Sequence, residues 1–460
     1  MVEHPPSPAV AAGPAAAAVE QGVDLRRLSP ADAARLLEVL LTLARHGVVV
    51  VARRGPFVAL RVRQRAPRAI AVALRRSFAD LGPTYIKFGQ LIASSPGLFP
   101  PVLSEEFRHL LDRVPPEPAA SVRRTIRQDF GRPVREVFAT FDDAPVAAAS
   151  IAQVHVATLP DGRRVAVKVR RPRLRRRMER DLRLLRLLAG LLEQAGAVGE
   201  IANPAAIVDD FATTLRAELD FRNEARWMAA FGRNLRALGE NDRVVVPAPV
   251  EGLVTRRVLV MTFVDGTPVD DVDAHRLEGH DLQELLLTAV RAWAEGALVH
   301  GLFHGDVHAG NLFVTPTGEI AFLDFGIMGE VHGETRALLL ETLPAVLLGG
   351  DFAKAAEVIV ALGAATGPLD VGALAADVEA VARPLLGATL ADVHYGALLS
   401  QVLAVASRYR LRLPREMVLL AKQLLYFERY AKAMAPDYRI LSDPRIVQHL
   451  VAAARRIRPD

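Results

Sequence analysis

The sequence predicts an α+β chain with a helical extension at its N-terminus, a smaller lobe built on strands and a helical C-terminal lobe. Three observations carry this. Residues 147–169 have the two-residue period of strands, broken at Asp161-Gly162, a pair suited to a hairpin turn. A second pair of short runs, 312–323, turns at 316–318. Nearly everything after about Gly333 repeats its apolar residues at helical spacing. Strands followed by helices suggest lobes of unequal composition, and 460 residues that are 51% hydrophobic suffice for each to bury a core.

In order along the chain, residues 1–22 read as a mobile tail, because Pro5, Pro6, Pro8 and Pro14 interrupt an alanine-rich run with little to bury. They lack the basic start, apolar core and cleavage site of a secretory signal, so synthesis and retention in the cytoplasm are expected. The helical extension covers 23–130. Residues 36–79 are largely helical by spacing, and in their most apolar part Glu38, Arg45 and His46 speak against a membrane span. Gly82 ends one helix and Pro83 starts the next, since proline's missing amide hydrogen has no partner in a first turn. That helix carries Lys87, Gly89 and Gln90 and stops at a break around 96–101.

The smaller lobe covers 131–266 and includes inserted helices. In the second strand of its hairpin, Val165, Val167 and Val169 share one face, which puts Ala166 and Lys168 on the other. Lys168 is thus an isolated cation on an apolar strand. A helix rich in Arg and Leu follows, then a helical segment through Glu218, Asp220 and Glu224, then a strand at 257–261 and a turn at Asp265-Gly266. The C-terminal lobe, 267–460, opens with a helix at 282–300 and a loop at 301–311.

Composition narrows the chemistry. Without cysteine there are no disulfides or thiolate metal sites, so any metal is held by oxygen or imidazole, which fits Mg²⁺ better than Zn²⁺. A net charge of +5, from 57 basic and 52 acidic residues, and 6% aromatics make no case for nucleic acid. The cluster Arg170, Arg171, Arg173, Arg175, Arg176, Arg177 and Arg180 suits anionic lipid head groups, although Glu179, Asp181 and Glu193 dilute it and a solvated helix start is the plainer reading.

The sharpest motif is His304-Gly-Asp306-Val-His308-Ala-Gly-Asn311, followed by Asp324-Phe325-Gly326. Asp306 and Asn311 stand five apart, and Asp324 follows Asn311 by thirteen. In a kinase catalytic loop one Asp meets the incoming nucleophile, while an Asn and a second Asp hold Mg²⁺. The intervening hairpin returns the second Asp to the first. Upstream, Val165-Ala166-Val167-Lys168 completes a multi-part signature that Asp-Phe-Gly alone would not make. A competing reading, His304, Asp306 and His308 as a metal cluster, leaves Lys168, Asn311 and Asp324 without a role, and His304 reads better as a loop brace bonded to backbone.

Where an ordinary protein kinase carries a glycine-rich loop, this chain has Ala147, Ala148, Ala149, Ser150, Ile151, Ala152, Gln153 and Val154. With Lys87-Phe88-Gly89-Gln90 and Glu218-Leu219-Asp220, it resembles the UbiB family of atypical kinases, whose Lys-x-Gly-Gln and Glu-x-Asp motifs these match, from about Asp80 to Asp443. The resemblance implies a bilobal protein kinase-like fold that binds ATP and Mg²⁺. It further implies that Glu224 pairs with Lys168, and that Lys87, Gln90, Glu218 and Asp220 belong to a regulatory helix pair over the cleft. Helical spacing agrees, since Lys87 and Gln90 share a face, as would Asp220 and Glu224. The expected nucleotide contacts are Ala147 to Ile151, Val154, Ala166, Lys168, Met261, Val264 and Gly266, with Asp306 the base and Asn311 and Asp324 the metal ligands.

Two departures stand out. The family's loop usually reads His-Ala-Asp-Pro-His-Pro-Gly-Asn; Gly305, Val307 and Ala309 replace the alanine and both prolines, so a less rigid loop is expected. Thr262 stands where an acidic hinge residue is common. The resemblance implies an ATPase or small-molecule kinase in quinone or prenyl-lipid metabolism, peripheral on the inner face of a membrane, with a quinone or prenyl-lipid precursor, the membrane and a second copy of the chain as candidate partners. The alternatives are a nucleotide-binding scaffold without turnover and a phosphotransferase of the aminoglycoside or choline kinase type.

Overall fold

A computed structural model describes residues 29–52, 66–94, 99–110, 115–194, 203–362, 369–393, 395–411 and 415–457. The tail expected at 1–22 and residues 96–98 of the break expected at 96–101 lie outside them. Helices α1 (Pro30–Ala52), α2 (Ala66–Leu81), α3 (Pro83–Ser94), α4 (Pro101–Phe107), α5 (Ala119–Phe130) and α6 (Val134–Val137) come first. Strands β1 (Thr140–Phe141), β2 (Ala147–Ala148), β3 (Ala152–Thr158) and β4 (Arg164–Arg170) precede α7 (Leu174–Gln194), α8 (Pro204–Glu218) and α9 (Phe221–Arg236). Next are β5 (Val244–Val245), β6 (Pro249–Val254), β7 (Val258–Thr262), β8 (Thr267–Pro268), α10 (Val272–Leu277) and α11 (Leu282–Glu295). Strands β9 (Leu302–His304), β10 (Leu312–Val314), β11 (Ile320–Phe322) and β12 (Met328–Glu330) lead to the last helices. These are α12 (Gly333–Leu347), α13 (Phe352–Ala361), α14 (Val371–Leu386), α15 (Tyr395–Arg408), α16 (Arg415–Met434) and α17 (Pro444–Ile457).

The chain divides into two compact units, Met1–Pro115 with Ala149–Ile151 and Pro172–Arg216, and Pro116–Ala148 with Ala152–Arg171 and Ala217–Asp460. The first is helical. Its core joins Ile86 and Ile92 of α3 to Phe107 and Leu110, with Phe78 edge-on to Tyr85 and Phe107 at 5.5 and 5.0 Å. Gly89 makes this packing possible: a Cβ there would lie 2.4 Å from Leu110 Cδ2 and 2.7 Å from Phe107 Cδ1. A buried ion pair ties α1 to α7, with Arg35 Nε 2.8 Å from Asp181 Oδ1. The same arginine donates to Leu81 O at the end of α2 (2.7 Å), and Thr84 Oγ1 donates to Asp181 (2.7 Å). Each polar atom of this pair has a partner, as a buried charge requires.

The arginine cluster is partly spent in such braces. Arg177 donates to Leu81 O (3.0 Å), Arg180 stands 3.6 Å from Asp32, and in the second unit Arg171 reaches Glu117 (3.2 Å). Arg173, Arg175 and Arg176 are exposed.

The second unit holds the sheets. The largest runs β1-β3-β4-β7-β6, with β2 paired to β3. The β3–β4 hairpin forms as the turn residues predict, in a register that sets Val154 opposite Lys168 and Val156 opposite Ala166. Val165, Val167 and Val169 enter a core with Val122 and Ile126 of α5 and with Val258 and Val260 of β7. Each such valine is worth about 1.5–3 kcal/mol on burial, which fixes the register and so the face on which Lys168 emerges. A smaller sheet, β5-β11-β10-β8, contains the second expected hairpin, with Leu312 opposite Phe322.

The helix expected at 282–300 is α11 to Glu295, and it then widens into a π-turn at Gly296–His300. Glu295, fully buried at this junction, accepts from Asn241 Nδ2 (3.0 Å), His300 Nε2 (3.1 Å) and His449 Nε2 of α17. These partners hold its carboxyl down to about 2 although burial alone would raise it.

Candidate active site

Residues directly opposite across antiparallel strands share a face. On the face of β4 away from the valine core, Lys168 is flanked by Val154 of β3 and Leu259 of β7, and Ala166 by Val156 and Met261. Val154, Ala166, Lys168 and Met261, picked from sequence as nucleotide contacts, therefore share one wall. Lys168 Nζ is buried and bound at 2.8 Å to Glu224 Oε1 and at 2.9 Å to Asp324 Oδ1. The Phe221 ring lies 5.5 Å away. Burial works against the ammonium, yet Asp324 and Glu224 more than restore it, so Lys168 stays charged above the usual lysine range. Burial pushes Glu224 up to about 7, with Lys168 pulling against the shift and Asp324 adding to it. Asp324 is half exposed, its side chain open at 49%.

Asp306 sits between β9 and a 3₁₀ turn at Ala309–Asn311. His304 is fully buried and braces the loop at both nitrogens: Nε2 donates to Leu323 O (2.9 Å), and Nδ1 accepts from Asp306 N (3.2 Å). Burial lowers its pKa, which keeps this tautomer neutral. Trp293 Nε1 donates to His304 O (3.0 Å). The expected brace is thus present, and both ring nitrogens are committed to backbone rather than to a metal. His308 likewise spends Nδ1 on Gly310 N (3.0 Å) and turns Nε2 toward Asp306, 3.7 Å from Oδ2. Asn311 Nδ2 donates to Asp306 O (2.9 Å), which fixes the amide so that its nitrogen faces the Asp306 backbone.

The hairpin β10–β11 closes on Leu323 N donating to Asn311 O (2.8 Å) and delivers Asp324 back to the loop. Asp324 has φ +54, in the left-handed region that few residues other than glycine and Asn or Asp visit. Phe325 is fully buried, 5.6 Å from the ring of Phe231 on α9 and 5.1 Å from His304. Through it, the helix that carries Glu224 and the loop that carries Asp306 pack on a common residue.

The remaining expected residues divide. Met261, Val264 and Gly266 are half-buried along the strip after β7, and a Cβ at Gly266 would stand 2.6 Å from Val314 O, so only glycine fits. Thr262 Oγ1 accepts from Ala248 N (2.9 Å), which gives it a structural partner. Ala147 and Ala148 form β2, whereas Ala149, Ser150 and Ile151 belong to the first unit, as do Lys87 and Gln90, both half-buried on α3.

The expected helical face shared by Asp220 and Glu224 is not formed. Helix α8 stops at Glu218, and Asp220 is the N-cap of α9, with φ −114 and its carboxylate accepting from Arg222 N. It pairs with Arg222 (2.6 Å) and Arg256 (3.5 Å), and its hydrogen bonds to Arg222 hold its carboxyl below the usual range. Glu224 instead points inward to Lys168. Capping wins here because a short carboxylate satisfies orphan amides at a helix start better than it fills a mid-helix position.

Two residues that sequence reasoning missed brace the Asp306 loop from α16. Gln423, fully buried, donates from Nε2 to Gly305 O (2.7 Å) and accepts at Oε1 from Val307 N (3.0 Å). Tyr430 Oη donates to Val307 O (3.2 Å). Val307 keeps the N–H that a proline would lack, and Gln423 binds it, so the loop expected to be looser is held by hydrogen bonds instead. The signal was a lone amide in the leucine-rich run 419–425.

Comparison with known proteins gives the family and the fold. The model of the ABC1 atypical kinase-like domain matches residues 109–359, and that of the UbiB helical domain matches 378–439. An uncharacterised protein of Mycobacterium tuberculosis is 43% identical over 91% of this chain and 84% of its own length. A Marinobacter nauticus protein named "Probable protein kinase UbiB" is 33% identical over 80% of this chain and 68% of its own. Among solved structures, the erythromycin complex of Rv3197 from Mycobacterium tuberculosis is similar in fold, with a TM-score of 0.54 at 23% identity over 84% of this chain and 99% of that one. With a domain match over more than half its length, and with strand lysine, helix glutamate, Asp-Asn loop and Asp-Phe-Gly in one unit, the chain belongs to the ABC1/UbiB family of atypical kinases, with an α+β kinase-like fold.

Proposed function

We propose that the chain binds MgATP against the Lys168 face of the sheet and turns it over, as an ATPase or small-molecule kinase serving quinone or prenyl-lipid biosynthesis at a membrane surface. The observation that carries this reading is Lys168 held between Glu224 and Asp324 in the unit that also fixes Asp306 and Asn311. A charged, oriented lysine is what the phosphates of a nucleotide require, and Glu224 supplies the orientation. Val154, Ala166, Met261 and Val264 offer an apolar wall for the adenine, with Ala147 to Ile151 as the loop over the phosphates. Asp306 receives the proton of the incoming hydroxyl or water, or orients it.

The donor set fits Mg²⁺. Asn311 and Asp324 are oxygen ligands, His304 is committed elsewhere, and among the described residues no three His, Cys, Asp or Glu groups cluster to hold a metal unaided. An ion held by one carboxylate, one amide and the nucleotide's own phosphates is the usual magnesium arrangement. When bound, it neutralises charge on the phosphates.

The helix with Lys87 and Gln90, together with Glu218 and Asp220, is the proposed regulatory cover that keeps extended peptides from Asp306 and restricts the acceptor to water or a small molecule. The quinone and membrane parts rest on the family alone. Among the described residues no helix is long and apolar enough to cross a membrane, so the proposed contact is peripheral, on the cytoplasmic face. A second copy of the chain is a further proposed partner.

The test is Mg²⁺-dependent ATP turnover with and without liposomes and phenolic quinone precursors. Turnover raised by membranes or precursors, with no phosphorylation of peptides, is the expected result. Absence of turnover under every condition makes the chain a nucleotide-binding scaffold, and ready peptide phosphorylation removes the cover.

A further inference from the structure

The backbone polar groups on both sides of Asp306 can be accounted for one by one. Gly305 N donates to Ile327 O (3.0 Å), and Gly305 O accepts from Gln423 Nε2 (2.7 Å). Asp306 N donates to His304 Nδ1, and Asp306 O accepts from Asn311 Nδ2. Val307 N donates to Gln423 Oε1, and Val307 O accepts from Tyr430 Oη. Three of these six groups are held from one helix, α16, and two of the three by a single side chain. A primary amide carries a donor and an acceptor side by side, so one neutral side chain can donate to the carbonyl before Asp306 and accept from the amide after it.

We propose that Gln423 is a positioning residue for Asp306, and that α16, within the stretch matched by the UbiB helical domain, sets the aim of the catalytic loop in this chain. The proposal rests on the reading of Asp306 as base. It explains how the loop dispenses with proline: the Val307 N–H that proline would remove is the anchor point, and the fully buried amide excludes water from the bond. Tyr430, also buried, adds a third tie about two helical turns further on. Neither side chain is needed to touch nucleotide, so losing the clamp leaves nucleotide affinity intact and misaims the carboxylate. A displacement on the order of 1 Å at a reacting group costs up to about 100-fold in rate.

The experiment compares the full-length parent with Gln423→Met, which keeps the volume and removes both bonds. Three quantities are read: MgATP affinity, turnover at saturating MgATP, and hydrogen exchange of the Gly305 to Val307 amides. The expected result is affinity within about twofold, turnover lower by about tenfold or more, and faster exchange at Val307. Combining Gln423→Met with Asp306→Asn adds little to the loss from Asp306→Asn alone, because the clamp acts through that carboxylate. Unchanged turnover with unchanged exchange overturns the proposal, and so does a parallel fall in affinity and turnover, which marks general damage. If the parent shows no turnover, or Asp306→Asn leaves it unchanged, the reading of Asp306 fails. Exchange then decides alone: a Val307 amide as protected in Gln423→Met as in the parent overturns the clamp, and lost protection supports it. Should Gln423→Met not fold, Tyr430→Phe, which removes one hydroxyl, is read in the same way with a smaller effect.

Discussion

At Lys168 two carboxylates compete for one cation, and their environments differ. Glu224 is buried, while Asp324 is half exposed and sits on a left-handed backbone turn. A carboxylate that is to bind metal must be reachable, which suits Asp324; an orienting partner must be fixed and shielded, which suits Glu224. Asp324→Asn therefore weakens MgATP binding by about tenfold or more and leaves metal-free ATP binding nearly unchanged. Titration calorimetry with and without Mg²⁺ checks this, and an equal loss in both would move the metal elsewhere.

Glu224 also sets a pH dependence. Its folded value, raised to about 7 from an ordinary 4.5, means that its contribution to stability is complete below about 4.5 and is lost as pH rises through about 7. Between about pH 5 and 7 the parent loses roughly 1–2 kcal/mol relative to Glu224→Gln, which cannot ionise. Urea unfolding across that range shows converging or crossing curves if this holds, and parallel ones if it does not.

At the scale of elements, the sequence was most readable where turn chemistry and strand period agreed. Asp161-Gly162 and residues 316–318 place both hairpins, and the valine alternation puts Lys168 on the correct face. Reading failed where two rules competed for the same residue. Asp220 was available as a helical neighbour of Glu224 or as a cap, and only the fold shows that α8 ends before it. The π-turn after Glu295 has no local code; it is imposed where Gly296 meets Leu302 O and Phe231, with a Cβ there only 2.8 and 2.9 Å from them. The partners of Gln423 could not be read for another reason: a lone amide in a leucine run signals a buried polar group, but the backbone atoms it binds lie more than a hundred residues away, which side-chain pattern does not encode.

The buried Glu295 joins α11 to α17 through His449, so its removal strands Asn241 and two histidines. Glu295→Leu costs about 3–5 kcal/mol at neutral pH. Because hydrogen bonds hold the carboxyl down to about 2, that contribution is present above about 4.5 and disappears as pH falls toward 2. Unfolding measured at neutral and at acidic pH reports it, and a gap that widens with acid would contradict the assignment.

At the scale of the whole molecule, the two units carry different parts of the family signature. Lys168, Glu224, Asp306, Asn311 and Asp324 are all in the second, whereas Lys87 and Gln90 are in the first. The five charged and amide groups of the proposed nucleotide site therefore lie within one unit, whereas Ala149 to Ile151 of the proposed phosphate loop belong to the first. The proposed chemistry stands or falls with Asp306, whichever acceptor is used. The decisive measurement is MgATP binding and turnover by the parent and by Asp306→Asn side by side. Affinity unchanged within about twofold with turnover lower by about 100-fold or more is the predicted result. Equal turnover in the two proteins would contradict it.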